Sequence, residues 1–563
     1  MRTFPVSMPK HATAVLLTIM SVTFAVHAQT FSVVYNFGSQ AGDPIQPFYS
    51  GIIAQGRDGN LYSGSYGGGG TTGAGALYSL TPGGTLTTLY SFSNSTDGET
   101  PAGGLTLGSD GSFYGTSYGG GFGGAPFGTV FKFTPPNSFT TLYTFTDGSD
   151  GALPLAPPIQ ATDGNFYGTT CPGCNSQPGY GSIYKVTSSG TFTVLFTCDV
   201  THCYDVNGPL VQGKDGNLYG TSEFGGANSQ GAVFKITPAG KITDLVSFDI
   251  SNGQLPIGPL VPGSDGNFYG TAVDGGSFGH GVIFKVTGGG VLTVLHHMNG
   301  SADGGAPYAG LVQATDGNFY GVNANGGAAS ANCPSGCGTV FKLTPKGVFS
   351  VIYNFDLTTG SVPYTTLLQH TNGLLYGTTQ MGGTGNVDPH CIAGVCGVLF
   401  SINVGAKPFV ALRSTTGKVG AQVQILGQNF SGSSIVSFGT VPASTVTVSG
   451  TTFITATVPS GAKTGSVTVT TSSGTLASSK KFLVTPQITT VAPPSGAVGS
   501  LVTITGVSLI QAKKVTFGGV SATFTVNSDT QITATVPNGA KTGKIVITTP
   551  GGTATSALKF TVT

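Results

Sequence analysis

Between Thr30 and Val404 the chain alternates short apolar runs with polar breaks rich in glycine, aspartate, asparagine and proline. The stretch around Asp163 illustrates the unit. APPIQAT leads into Asp163-Gly164 and NFYGTT follows from Asn165. After a loop comes GSIYKVT from Gly181, then TFTVLF from Thr191. Aromatic and β-branched residues at these places predict four strands, a to d. Asp-Gly predicts a tight a–b hairpin. Thr-Pro-x-Gly, as at Thr237–Gly240 and Thr344–Gly347, predicts the c–d turn. The unit begins at Asp58, Asp110, Asp163, Asp215, Asp265 and Asp316, and in a variant at Asn372, at spacings of 52, 53, 52, 50, 51 and 56 residues.

Four antiparallel strands recurring at about 50 residues describe a propeller blade. The last unit stops after its c run, VLFSINV from Val398, whereas an isolated d-type run, TFSVVYNF, starts at Thr30. Pairing these two would leave no open sheet edge. The expectation is an all-β chain with a seven-bladed β-propeller over residues 29–405.

Beyond Gly405 the aromatic units vanish and Thr, Val and Ser dominate. Two segments repeat each other there, ITATVPSGAKTGSVTVTTSSG from Ile454 and ITATVPNGAKTGKIVITTPGG from Ile532. Alternating apolar positions with frequent turns predict two small β-sandwiches, residues 406–485 and 486–563.

The repeat LYxF…DGxxPxxxL…DGNFYGTTxxGG…GTVFKxTPxG resembles the GloVer-type tandem repeat of exported bacterial proteins. The resemblance covers all seven units and implies no defined reaction. The tail segments resemble IPT/TIG domains, immunoglobulin-like modules. The second is the closer, with SGAVGSLVTITG after Pro494 and VTFGGVSA from Val515. The first departs at Ser414-Thr-Thr-Gly, where the proline turn would be. In exported proteins that resemblance implies spacing or adhesion.

Composition sharpens this picture. Glycine supplies 92 of 563 residues and only 8% are charged, which argues against a helical chain and against charged disorder. Residues 1–28 have signal-peptide layout: basic Arg2 and Lys10, an apolar run from Ala12 to Val26, and a small-residue site ending at Ala28. The chain is therefore expected to be exported (secreted, periplasmic or cell-surface), with no transmembrane segment in its mature form. Without Arg2 and Lys10, 20 basic residues face 21 acidic ones, so no nucleic-acid partner is expected. A monomer is expected, with no cofactor and no metal.

Eight cysteines form four close pairs: Cys171/Cys174, Cys198/Cys203, Cys333/Cys337 and Cys391/Cys396. Local disulfides are the preferred reading. Zinc at Cys171/Cys174 is the alternative, and it would need a second pair nearby. The a–b and c–d turns share one face of each blade; the longer b–c and d–a loops share the other. All four pairs fall on that loop face. So do the candidate binding residues Glu99, His202, Glu223, His280, His296, His297, Tyr118 and Phe224, together with His390 and the aromatics Tyr66, Phe122, Tyr180 and Phe278. Eleven of the 19 aspartates precede glycine and are read as turn residues. Calcium at Asp147/Asp150 and a dinucleotide loop at Gly68–Gly73 are weak alternatives, lacking ligand spacing and a following helix. With Glu99 and Glu223 the only glutamates, no carboxylate pair for glycoside hydrolysis stands out, and no catalytic residue is assigned.

Three readings follow. The first is a noncatalytic binding or adhesion protein whose loop face takes a carbohydrate or an extracellular protein partner, with the Ig-like modules as spacer or tether. The second is a polysaccharide lyase or hydrolase with accessory modules. The third is a structural coat component.

Overall fold

The computed structural model describes residues 29–47, 52–70, 73–93, 95–101, 103–120, 127–171, 181–199, 201–385, 391 and 396–563. The expected signal segment, Phe122, Cys174, Tyr180 and His390 lie outside the described residues.

Among the described residues the repeat region forms seven four-stranded antiparallel sheets. The third is typical: Ile159–Gln160, Phe166–Thr170, Ser182–Val186 and Phe192–Thr197, in sequence order. The seventh is composite. It takes Leu368–Gln369, Leu375–Thr378 and Val398–Asn403 from one end of the region and Thr30–Asn36 from the other. Thr30 lies opposite Asn403 and Asn36 opposite Val398, so the isolated d run meets the unit that lacks one.

Each sheet is pinned by the residues that make its hairpin. The carboxylate of Asp163 accepts from the Asn165 backbone at 3.1 Å and from the Tyr167 hydroxyl at 2.7 Å. The same Asp-to-Tyr bond recurs from Tyr62, Tyr114, Tyr219, Tyr269 and Tyr320, and Asn372 replaces the aspartate beside Tyr376. These tyrosine rings also join neighbouring sheets. Tyr62 stacks on Phe113, Tyr114 on Phe166, Tyr219 on Phe268 and Tyr269 on Phe319, at centroid distances of 3.7–4.2 Å.

The d strands make a second inter-sheet layer. Tyr90 stacks on Phe139, Tyr143 on Phe192, His296 on Phe349 and Tyr353 on Phe31, at 3.6–4.1 Å. In each of the seven sheets the c–d ladder slips by one residue, as between Ile183 and Tyr184. Such bulges bend the strand and increase its twist. The repeat sequence gave no warning of them.

Among the described residues the tail contains five further sheets, three before Gln487 and two from Gln487 on, with separate cores. One core is built around Val423, Ile425, Phe438, Ile454, Val467 and Phe482. The other holds Val502, Ile504, Phe517, Ile532, Ile547 and Phe560. The first tail unit docks on the a–b turns of the repeat region. Its Gln428 donates to Thr371 Oγ1 at 2.8 Å, Thr452 donates to the Arg57 carbonyl at 2.7 Å, and Gln424 accepts from Arg57 at 3.0 Å. The Arg57 guanidinium lies 4.6 Å over the Phe453 ring. Arg413 donates to the carbonyl of Leu107. Leu426 and Phe453 share a buried cluster with Ala54, Tyr62 and Leu107. The docked unit thus covers turns and leaves the loop face on the far side.

Candidate functional site

On the loop face the d–a loop of each repeat crosses the start of the b–c loop. At the crossing sits a non-glycine residue in the left-handed region: Gln46, Thr100, Leu153, Asp205, Leu255, Ala306 and Val362, with φ between 52° and 62°. At Gln46, Thr100, Asp205, Leu255, Ala306 and Val362 the carbonyl accepts from a residue just past strand b, as in Glu223 to Asp205 at 2.8 Å and Val273 to Leu255 at 3.1 Å. Six of the seven crossing residues precede proline; Asp205 precedes Val206. Left-handed geometry is costly for most side chains and easiest for asparagine and aspartate.

One of these crossings carries two carboxylates. Asp205 and Glu223 occupy positions filled elsewhere by Gln46 and Tyr66, Leu255 and Val273, or Ala306 and Ala324. Both acids are half-buried. Asn207 is buried and donates through Nδ2 to Glu223 Oε2 at 2.6 Å, while its Oδ1 has no partner. The Cys171 thiol donates to Asp205 Oδ1 at 3.2 Å. Burial, reinforced by the charge of Asp205, lifts Glu223 from the ordinary glutamate value to about 7. Burial also raises Asp205, against the hydrogen bonds from Cys171 and Asn207.

Aromatic pairs flank the acids. Tyr204 packs against Phe224 at 5.6 Å, and Tyr308 meets Tyr364 edge-to-face at 4.7 Å. The Tyr308 phenol is raised by burial and by the nearby charges of Asp274 and Glu223. The arrangement supplies hydrogen-bonding oxygens, one carboxyl that keeps its proton near neutrality, and ring surface.

The other expected rim residues have separate places. His296 stacks on Phe349 and bonds Asp303 at 3.0 Å, repeating what Tyr90 does with Phe139 and Asp97. It therefore takes a packing position within the d-strand layer. His297 Nδ1 accepts from the Ser277 backbone at 3.0 Å, and the exposed His280 lies against Gly300. The three histidines thus have different partners. His202 sits in the loop closed by Cys198–Cys203, bonded to Asp199 and 3.8 Å from Asp244. Glu99 lies against Gly119, and burial raises its carboxyl. Tyr118 packs with Ala152, Leu153 and Cys171. Tyr66 and Phe278 are the exposed aromatics of the expected set, at 44% and 61%.

Disulfides join Cys198 to Cys203, Cys333 to Cys337 and Cys391 to Cys396. Three such bonds point to an extracellular or surface setting. Asp150 accepts from Tyr143, from the Thr146 backbone and hydroxyl, and from the Gly148 backbone, as a loop-ordering acceptor. Gly67–Gly68 pairs with Pro44–Ile45 as a short strand. Among the described residues no three His, Cys, Asp or Glu side chains are grouped to hold a metal ion, and no helix is long and apolar enough to cross a membrane.

Sequence reasoning found Glu223 through the rarity of glutamate. It missed Asp205, Asn207, Tyr308 and Tyr364. Alignment of the seven d–a loops on the position that is proline in six of them and Val206 in the other is the signal that finds them, since Tyr308 and Tyr364 follow Pro307 and Pro363 and Asn207 follows Val206.

These features define an all-β repeat protein of propeller-like sheets with an immunoglobulin-like tail module. The chain belongs to the Gloeobacter/Verrucomicrobia repeat family, which matches residues 18–197 and again 156–390. An IPT/TIG domain matches residues 486–562. No curated protein matches the chain. Among solved structures, a fungal alcohol oxidase in complex with copper is similar at 15% identity and TM-score 0.45, over 78% of this chain and 98% of that one. SGBP-B from a xyloglucan utilization locus in Bacteroides uniformis is 25% identical over 27% of this chain and 48% of its own, with TM-score 0.14. The surface glycan-binding protein PbSGBP-B from Prevotella bryantii is 17% identical over 27% and 41%, with TM-score 0.21. The chain spans less than half of these last two proteins. All three TM-scores lie below 0.5.

Proposed function

We propose that this chain is an exported surface or extracellular protein whose seven-bladed propeller, residues 29–405, binds carbohydrate on its loop face. Two Ig-like units, 406–485 and 486–563, serve as spacer or tether. The pairing of Thr30–Asn36 with Val398–Asn403 supports a closed ring. The docking of the first tail unit on the opposite, turn-bearing face supports a free loop face.

One observation carries the binding assignment. The hydrogen-bonding group Asp205–Asn207–Glu223 lies on the same face as the Tyr204–Phe224 and Tyr308–Tyr364 pairs. Sugars are recognised by this combination: polar oxygens fix the hydroxyls and aromatic rings stack on the ring face. Titration of the purified chain against a panel of oligosaccharides tests it. Wild type is expected to bind at least one, and Asn207→Ala or Tyr308→Ala to weaken that binding about tenfold. Failure to bind any member, with firm binding to a protein partner, overturns the assignment.

A hydrolase reading has one specific support, a carboxyl raised to about 7 beside a second carboxylate. Glu223 would act as the acid and Asp205 as the second carboxyl. Release of reducing ends from a polysaccharide panel, abolished by Glu223→Gln, is its test; a panel left uncut removes it.

A further inference from the structure

Among the described residues no cationic side chain pairs with Asp205 or Glu223. Among the described residues the ion pairs are Lys132–Asp110, His202–Asp199, His202–Asp244 and His296–Asp303, and none involves Asp205, Glu223 or Asp274. Uncompensated carboxylates away from bulk water are costly unless paired. The buried Asn207 adds an acceptor, Oδ1, that also lacks a partner. Among the described residues the acids receive neutral donors only, from Cys171 and Asn207, and the Asn207 Oδ1 receives none.

We infer that the site takes a protonated primary amine carried on a sugar ring, as in a de-N-acetylated amino-sugar polymer. The inference rests on the carbohydrate reading above and specifies its ligand. An ammonium offers three N–H donors and no acceptor. Asp205 and Glu223 offer carboxylate acceptors, and rotation of the Asn207 amide, which exchanges its bond to Glu223 for one to the ammonium, adds a third. A neutral hydroxyl would satisfy the amide oxygen and leave the carboxylates uncompensated. The Tyr308–Tyr364 pair supplies aromatic surface for a cation, and the fields of Glu223 and Asp274 reach Tyr308, placing rings and acids in one neighbourhood. The raised carboxyl of Glu223 agrees with this. Before binding, a proton on Glu223 relieves the repulsion, and on binding that proton passes to solvent while the ammonium takes its place.

The test compares three oligomers of equal length by calorimetric titration of the full chain: glucosamine, N-acetylglucosamine and glucose. The glucosamine oligomer is expected to bind about tenfold or more tighter than the other two, as charge-assisted hydrogen bonds outweigh neutral ones. Added salt should erode that preference. Glu223→Gln and Asp205→Asn should bring the three affinities close to parity, with folding verified by circular dichroism. Because the wild-type comparison varies only the sugar, it holds even if a variant misfolds. Equal affinity of wild type for all three sugars overturns the inference and leaves carbohydrate binding standing. Binding of none overturns both. Binding of an oligolysine peptide with none of glucosamine overturns both in favour of a protein ligand.

Discussion

Glu223 is held in a place that disfavours its charge, and this has a consequence for stability. Its folded value, about 7, exceeds the ordinary glutamate value of 4.5. Between those two pH values the unfolded chain has released the proton and the folded chain still holds it, so stability falls as pH rises across this window and stays reduced above it. Glu223→Gln is therefore expected to raise the melting temperature at pH 8 and to change it little at pH 4. The gain should be on the order of 1–3 kcal/mol, reduced by the partial exposure of the carboxyl. Thermal unfolding at the two pH values checks this; an equal shift at both removes the electrostatic cause. At this scale the sequence was only half legible. The scarcity of glutamate singled out Glu223, but Asp205 stands among ordinary loop residues in CYDVNG. Its left-handed backbone, shared with Leu153 and Leu255, lacks the following proline that marks those crossings. His296 misled in the opposite sense. A histidine beside a histidine looks like chemistry, yet it occupies the position of Tyr90 and Tyr143 and stacks on the adjacent sheet.

The hairpin is the element in which local chemistry and fold agree most closely. Asp-Gly was readable as a turn because aspartate accepts from its own backbone two residues on, and Asn165 and Asn217 donate there. The further bond to the tyrosine hydroxyl couples the turn to the packing between sheets, where Tyr167 shares a buried cluster with Leu218 of the next sheet. Tyr167→Phe keeps the ring and removes that bond, and is expected to cost about 1 kcal/mol in urea unfolding. A double-mutant cycle with Asp163→Asn should show coupling between the two. Carboxylate charge matters here as well. Hydrogen bonds from Asn165 and Tyr167 outweigh burial and hold Asp163 below 3.8. Its contribution is complete above that ordinary value and is lost as pH falls through the lower folded one. The bulge between c and d remained illegible, since it shifts register without altering the run of apolar residues. The Cys198–Cys203 disulfide closes a short loop next to buried Val206 and Leu210. Replacing both cysteines with serine is expected to cost about 2 kcal/mol in denaturant unfolding, or less if the reduced loop retains structure.

Across the whole molecule, stability depends on residues far apart in the chain. Thr30–Asn36 completes a sheet more than 360 residues away in sequence, at Val398–Asn403. Removing residues 29–37 should expose Val398–Asn403 as an unpaired edge and leave Phe400 without its neighbour Phe31. Light scattering should then show association at concentrations where the full chain stays dispersed; a truncated chain that remains dispersed, with an unchanged melting temperature, would remove that role for the N-terminal strand. This long-range match was legible, because a surplus strand at one end and a deficit at the other define each other. The docking of the first tail unit was not. It uses Arg57, Thr371, Gln424 and Phe453, which belong to no shared pattern and meet only once both units are folded.

The seven left-handed crossings have a wider implication. Their backbone is set by main-chain bonds, so the side chains they present are interchangeable to a degree that a catalytic loop would not allow. Glutamine, threonine, leucine, aspartate, alanine and valine already stand in equivalent slots. Such a scaffold behaves like an array of sockets, each open to independent rewriting. A descendant that moved the acid pair from one socket to the next would carry it to the neighbouring sheet without redesigning the loops that bear it.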